Sequence, residues 1–301
     1  MTQPTMRMEP NAGLAGQEMA KKESQGLAIL RRLLQNKAAM AGGIILLLFI
    51  IVAILAPVIA PYSYSSMDPL HKFLSPSAGH LFGTDEYGRD IFTRILYGAR
   101  FSLTLGIGAT LISTVIGVIL GAVAGYFGGR VDYLLMRFMD IFQSVPIILM
   151  TICMSAAFGT GLFNTILAMG LGGMAGPVRL LRATIMSMRT QEYLEASTAI
   201  NCKRITIILK HVLPNAISPV IVFATMSVGM VIIGAAGLSF IGLGVQPPTP
   251  EWGAMLVGAT KYLRHYPYMV MFPGAMIAIT VLAVNMFGDG LRDAMDPKLK
   301  D

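Results

Sequence analysis

No Asp, Glu, Lys or Arg occurs from Phe101 to Gly129, and none from Ile141 to Val178. Tracts of that length cannot lie at a soluble surface, and they are long enough to cross a bilayer core of about 30 Å as helices. The composition agrees: 54% apolar letters, 13% charged and a mean hydropathy of +0.66 over 301 residues. The expected fold class is all-α, a polytopic membrane protein.

The spans follow from the punctuation. Residues 1–37 are polar, with Arg31, Arg32 and Lys37 at their end, and read as an N-terminal tail. Ala38 to Ile59 exceeds the 7–15 apolar residues of a cleaved signal peptide, so it is read as a first spanning helix that stays, stopped by Pro61. A polar loop over 60–100 precedes the second span. The tract 141–178 is too long for one helix and is split into two spans at Phe158-Gly159-Thr160-Gly161. A fifth span lies within Val212 to about Ser239 and a sixth from Tyr266 to about Phe287. Six helices are thus expected, five of them in a core over 101–288, with a C-terminal tail over 289–301.

Orientation rests on Lys and Arg, which are retained in the cytoplasm. With the N-terminus inside, 17 of the 23 fall on cytoplasmic segments and six outside. Both termini are then cytoplasmic and the 60–100 loop is external. The same scatter of basic residues between apolar tracts, rather than on one basic face, argues against nucleic acid as a partner despite the net charge of +7.

Several chemistries lack their residues. None of the six expected spans carries an ionisable side chain, the usual mark of an ion-coupled carrier. Ser239 has no membrane-embedded His, and Asp289 no facing Asp, so both read as packing or end residues rather than protease groups. Cys153 and Cys202 have no metal-ligand spacing and read as free thiols. The methionines Met150, Met154 and Met169 read as adaptable packing. No metal, no cofactor and no catalytic residue is expected. The run Gly170 to Gly176 lacks the strand and acid of a dinucleotide site, and no phosphate-binding loop with its Lys occurs, so any ATP would be bound by a partner. Gly117, Gly121 and Gly125 recur every four residues, the spacing at which membrane helices touch, and Gly172 and Gly176 repeat it.

The most specific polar segment lies between the fourth and fifth spans, over 190–214. Gln191 to Asn201 reads as a short helix with Thr190 as N-cap, followed by a turn and a second short helix, Ile205 to Val212, closed by Leu213-Pro214. Small Ala196, Ser197 and Ala199 would allow close approach of another protein.

This segment resembles the cytoplasmic signature of permease subunits of ATP-binding-cassette importers, E-A-A-x3-G-x9-I-x-L-P. Glu195, Ala196, Leu213 and Pro214 match; Ser197 stands for the second Ala, Asn201 for Gly and His211 for Ile. Asn suits a left-handed helix end next best after Gly. Phe82 to Asp90 with Arg94 and Tyr97 to Arg100, then Gly237 to Gly244 with Pro247 to Gly253, and Gly288 to Pro297, are similar to the oligopeptide and dipeptide branch, in which this chain resembles the second permease of the pair. Ala235-Ala236 departs from an acidic residue that many relatives carry there.

The resemblance implies docking of the Glu195 helix in an ATPase groove. It implies a homologous permease, two ATPase subunits and an external solute-binding protein as partners, lipid around the spans, and residence in the bacterial inner membrane. Short peptides are the expected cargo, with nickel chelates, glutathione-like peptides and oligosaccharides carried by related permeases. Asp85, Arg89 and Asp90 have two readings, an exposed pairing worth tenths of a kcal/mol or an external gate. Trp252 reads as an interface anchor. Asp289, Arg292 and Asp296 read as a solvated helix exit that touches the ATPase.

Overall fold

The structure is a computed structural model and describes residues 25–192, 194, 197, 200 and 202–295. Among these residues the chain is helical apart from loops and one isolated antiparallel bridge between Thr84 and Asp90.

The first helix, α1 (Gln25–Gln35), leads through Asn36 into α2 (Lys37–Ile59). Asn36 Oδ1 accepts from the amides of Ala38 and Ala39 at 3.0 and 3.1 Å, satisfying donors that the first turn would otherwise leave open. The stretch over 60–90 is ordered by side chains rather than by helix. Thr84 Oγ1 donates to His71 O and accepts from Leu74 N, while Phe82 stacks on Phe272 and Phe73 on Tyr266.

The next helix, α3 (Ile91–Phe127), starts ten residues before the expected second span. Asp90 Oδ2 caps it by accepting from Thr93 N at 2.7 Å. Arg94 and Arg100 do not delay it, because charge limits membrane burial but not helix formation. At 1.5 Å per residue it runs for about 55 Å, well beyond the bilayer core. It is the central element, packed against α2, α6, α7 and α10.

After α3 come α4 (Gly129–Ser144) and α5 (Ile147–Phe158), which meet at 90°. Pro146 forces the bend, since the residue before a proline is driven out of the helical region, and Val145 is extended. Gly159 and Gly161, both at positive φ, turn the chain into α6 (Leu162–Gly172), where the sequence placed the break. However, α5 and α6 are 12 and 11 residues long, too short to cross singly as the split of 141–178 anticipated. Gly173 and Met174 keep right-handed helical angles between α6 and α7 (Ala175–Met188), and Val178 N still donates to Met174 O.

Beyond the 190–203 segment lie α8 (Arg204–Ile207), a π-helical turn (Ile208–Val212) and α9 (Leu213–Ala216). Leu213-Pro214 therefore does not close a helix. The Leu213 amide reaches back five residues to Ile208 O, and Pro214 sits in the first turn of α9, where its missing N–H costs nothing. Then follow α10 (Ser218–Phe240), the short α11 (Trp252–Ala259) and α12 (Tyr268–Met295). The last helix runs through residues 289–295, expected to be tail.

Among the described residues, four helices, α2, α3, α10 and α12, are long and apolar enough to cross a membrane alone, with a fifth crossing if the bent pair α4–α5 counts as one. The glycine stripe on α3 is the seam that packs it on α7. A Cβ at Gly117 would sit 2.6 Å from Pro177 Cβ, at Gly121 2.7 Å from Val178 O, and at Gly125 2.9 Å from Ile185 Cβ, all on α7. Gly172 and Gly176 do not repeat it: one faces Thr151 of α5 and the other Phe223 of α10.

Candidate functional site

Two regions hold the residues singled out by sequence. One is the 190–214 segment, whose Glu195, Ala196 and Asn201 lie outside the described residues. The described ones show how it is seated. Leu194, Ile207, Ile208, Val212 and Ala216 form one apolar cluster with Leu181 and Ile185 of α7 and Val220 of α10. Leu213 packs on that cluster, Pro214 is exposed, and Ser197 O accepts from Cys202 N at 3.2 Å. The segment is thus joined to α7 and α10 by buried side chains rather than tethered as a free loop.

Beside it, Arg182 of α7 donates from Nε and Nη2, one edge of its guanidinium, to the two carboxylate oxygens of Asp132 of α4, and Arg179 Nη2 donates to Asp140 Oδ1 at 2.6 Å. The two-pronged pairing fixes α4 in orientation as well as position. Asp289 and Arg292 are exposed at the end of α12, as a solvated exit requires, while Asp296 lies outside the described residues.

The other region surrounds the start of α3. Asp85, Arg89 and Asp90 are only 6%, 5% and 4% exposed, so the reading as an exposed pairing fails. The loop over 60–90 folds over them, which the local sequence could not reveal. They also do not form one group. Asp85 Oδ2 accepts from Arg89 Nε at 2.6 Å and lies 3.7 Å from Arg94 Nε, whereas Asp90 Oδ1 meets His80 Nδ1 at 2.9 Å. Arg94 Nη1 donates to the carbonyls of Tyr64 and Pro248, joining the 60–90 stretch to the loop before α11. Breaking a buried pair by removing one partner typically costs about 3–5 kcal/mol, far more than an exposed pairing would. Glu86, half-buried beside this group, has its carboxyl pushed up by burial.

Glu251 is the residue that sequence reasoning passed over. It is 1% exposed, and its carboxylate accepts from Ser102 Oγ, Gly253 N and Ala254 N at 2.8–2.9 Å. Burial pushes its carboxyl up and the three donated hydrogen bonds draw it back. An acid directly before the apolar run from Trp252 was the available signal, an N-cap that starts α11 and ties it to α3.

Trp252 is no interface anchor. Its indole is buried in the notch left by Gly98, with Nε1 donating to Ile95 O at 3.0 Å. At the Ala235-Ala236 departure, the small Ala236 lets α10 approach Gly253, whose Cβ would lie 2.7 Å from Ala236 Cα. Among the described residues, no group of three His, Cys, Asp or Glu is placed to hold a metal.

Residues 117–301 match the family of binding-protein-dependent transport system inner membrane components, and residues 24–76 match the N-terminal transmembrane domain of oligopeptide transport permease C. The chain belongs to this family. It is a permease subunit of an ATP-binding-cassette importer. The permease is 42% identical over 297 residues to the dipeptide transport system permease protein of Alkalihalophilus pseudofirmus, covering 99% of this chain and 97% of that one. It is 40% identical to the oligopeptide transport system permease protein of Bacillus subtilis, covering 99% and 98%. With the glutathione transport system permease protein of Pectobacterium atrosepticum it shares 42% over 273 residues, 90% of each chain. A chain of the inward-facing MetNI methionine transporter superposes at a TM-score of 0.56 and 18% identity, over 67% of the permease and 97% of that chain. That match shows the fold alone. The matched family is one of transport permeases, a non-enzyme class.

Proposed function

We propose that this chain is the second permease of a heteromeric importer of short peptides in the bacterial cytoplasmic membrane. It would pair with a homologous permease and two ATPase subunits and receive cargo from an external binding protein. The observation that carries the cargo is its 42% identity, over 99% of its length, to a dipeptide permease.

The proposed topology has six crossings with both termini in the cytoplasm. They are α2, α3, the bent α4–α5, the nearly continuous α6–α7, α10 and α12. At 1.5 Å per residue α6–α7 spans roughly 40 Å, enough for the bilayer. Contacts between turns support the alternation of sides. On one side the 60–90 stretch meets Pro248 and Phe272, and Gly161 N donates to Gly244 O. On the other, Gly128 faces Arg189, Arg204 lies over Phe127, and Gly290 abuts Ala39. The second group contains most of the Lys and Arg and is therefore assigned to the cytoplasm.

In this arrangement the helix carrying Glu195, Ala196, Ser197 and Asn201 docks on an ATPase, with Leu213 and Pro214 behind it. Closure of the ATPase pair would move it as a rigid lever through the apolar cluster onto α7 and α10, alternating access to a central path. On the outer side, Asp85, Arg89 and Asp90 would hold the closed external gate.

Vesicles containing both permeases and both ATPases, supplied with the binding protein, should accumulate a labelled dipeptide only with ATP. The chain alone should neither transport nor hydrolyse nucleotide. Transport by this chain alone would sink the importer reading, and uptake of a nickel chelate or an oligosaccharide in place of the dipeptide would sink the cargo.

Topology has its own test. Cys202 is half-buried against the α7 cluster, whereas Lys203 beside it is exposed. Lys203→Cys, in a chain with Cys153 and Cys202 replaced by Ser, should react with a membrane-impermeant thiol reagent in inverted vesicles and not in intact cells. The opposite pattern overturns the orientation.

A further inference from the structure

The helix α1 presents two different faces. Ile29, Arg32 and Leu33 are half-buried against the bundle, while Leu27, Leu30 and Leu34, spaced three and four apart, are 60%, 54% and 55% exposed on one side. Three leucines facing water would be costly, yet α1 joins α2 through the single residue Asn36, and α2 carries its own exposed apolar residues Ile44, Leu47 and Leu48 just beyond. A short amphipathic helix at the end of a span, continuous with that span's lipid-facing side, lies at the boundary between headgroups and acyl chains.

Behind α1 is a groove of about 760 Å³ between α1, the start of α10 and the end of α12. Its wall is apolar at Ile29, Val222, Phe223 and Met226, and Arg32 and Arg292 stand on it from opposite ends of the chain. Neither guanidinium has an ion-pair or hydrogen-bond partner among the described residues. Two unpaired cations over an apolar channel match one kind of molecule, with a phosphodiester at one end and hydrocarbon at the other. Basic pockets between membrane helices, at a surface rich in anionic headgroups, take such lipids.

We infer that this groove holds an anionic phospholipid, its phosphate on Arg32 and Arg292, its acyl chain along Phe223 and Met226, and the Leu27–Leu30–Leu34 face of α1 immersed in the same leaflet. The inference rests on the proposed topology only for naming that leaflet as cytoplasmic.

The test is native mass spectrometry of the purified permease pair, with or without its ATPases, titrated with phosphatidylglycerol, with phosphatidylcholine and with inorganic phosphate. Wild type should retain phosphatidylglycerol at detergent levels that strip phosphatidylcholine. Arg32→Gln with Arg292→Gln should lower the bound fraction at least fivefold, and the pair should stay assembled, since neither side chain bonds to another described residue. Arg130→Gln with Lys210→Gln removes the same charge at exposed positions that do not line the groove and should leave binding near wild type. Equal losses in the two double variants would mean diffuse attraction and overturn the site. Displacement of the lipid by inorganic phosphate would reassign the cations to a free anion, and equal retention of phosphatidylcholine would remove their role; either result overturns the inference. Binding is read on the permeases themselves, so failure of ATPase coupling would leave this outcome legible.

Discussion

Glu195→Lys is expected to cut substrate uptake tenfold or more while the chain stays inserted at near-normal levels. In the proposed docking, a carboxylate flanked in sequence by the small Ala196 and Ser197 meets a basic group of the ATPase, and a charge-assisted contact of that kind is worth about 1.5–3 kcal/mol. Reversing the charge removes it and adds repulsion, and a loss of about 1.4 kcal/mol already corresponds to tenfold. The permease body should not notice. What seats the segment is the apolar cluster of Leu194, Ile207, Ile208 and Val212 on α7 and α10, and what holds the spans is the α3–α7 seam. Uptake and membrane level measured in the same cells separate the outcomes: a fall in level with uptake would make Glu195 structural, and normal uptake would end its coupling role.

Gly121→Leu should have the opposite signature, with the protein lost from the membrane rather than inactive within it. A Cβ there would lie 2.7 Å from Val178 O and 3.0 Å from Leu181 Cβ, so the clash is with backbone as well as side chain. The helices cannot part locally, because Gly117 and Gly125 hold the same two helices together one turn away on either side. Overpacking a fitted site costs about 1–3 kcal/mol and occasionally more, and in a bilayer no hydrophobic effect between helices compensates. The expected membrane level is about fivefold or more below wild type, since 1 kcal/mol is worth that factor. Gly237→Leu is the control, since nothing lies within 4 Å of a Cβ there. Equal levels for the two variants would show that the seam tolerates a side chain and that this packing is not what holds α3 to α7.

The sequence was most legible where a property is local. The tract Ala38 to Ile59 became α2 to within one residue, the turn at Phe158 to Gly161 fell where glycines at positive φ interrupt the helices, and the four-residue glycine period on α3 faces α7. It was least legible where length of apolar sequence stood in for a path through space. Residues 141–178 are apolar enough for two spans, but Pro146 turns the chain by 90° and α5 and α6 are each too short to cross alone. Likewise Leu213-Pro214 reads as a stop, yet a π turn carries the helix past it.

Asp85 and Arg89 sit four residues apart, and spacing alone permits the pair; nothing local says that a loop of thirty-odd residues will bury it. Glu251 shares a hydrogen bond with Ser102, 149 positions away, and Asp132 pairs with Arg182 across 50. By itself the sequence determined that this is a helical membrane protein of the importer-permease kind, because hydropathy, charge placement and the 190–214 spacing are read along the chain. Only the tertiary structure decided which charges are buried together, which acid locks α11 to α3, and where two arginines stand over an apolar groove. Those depend on which helices become neighbours, and that is settled by how glycine notches and side-chain volumes fit across distances that no local pattern records.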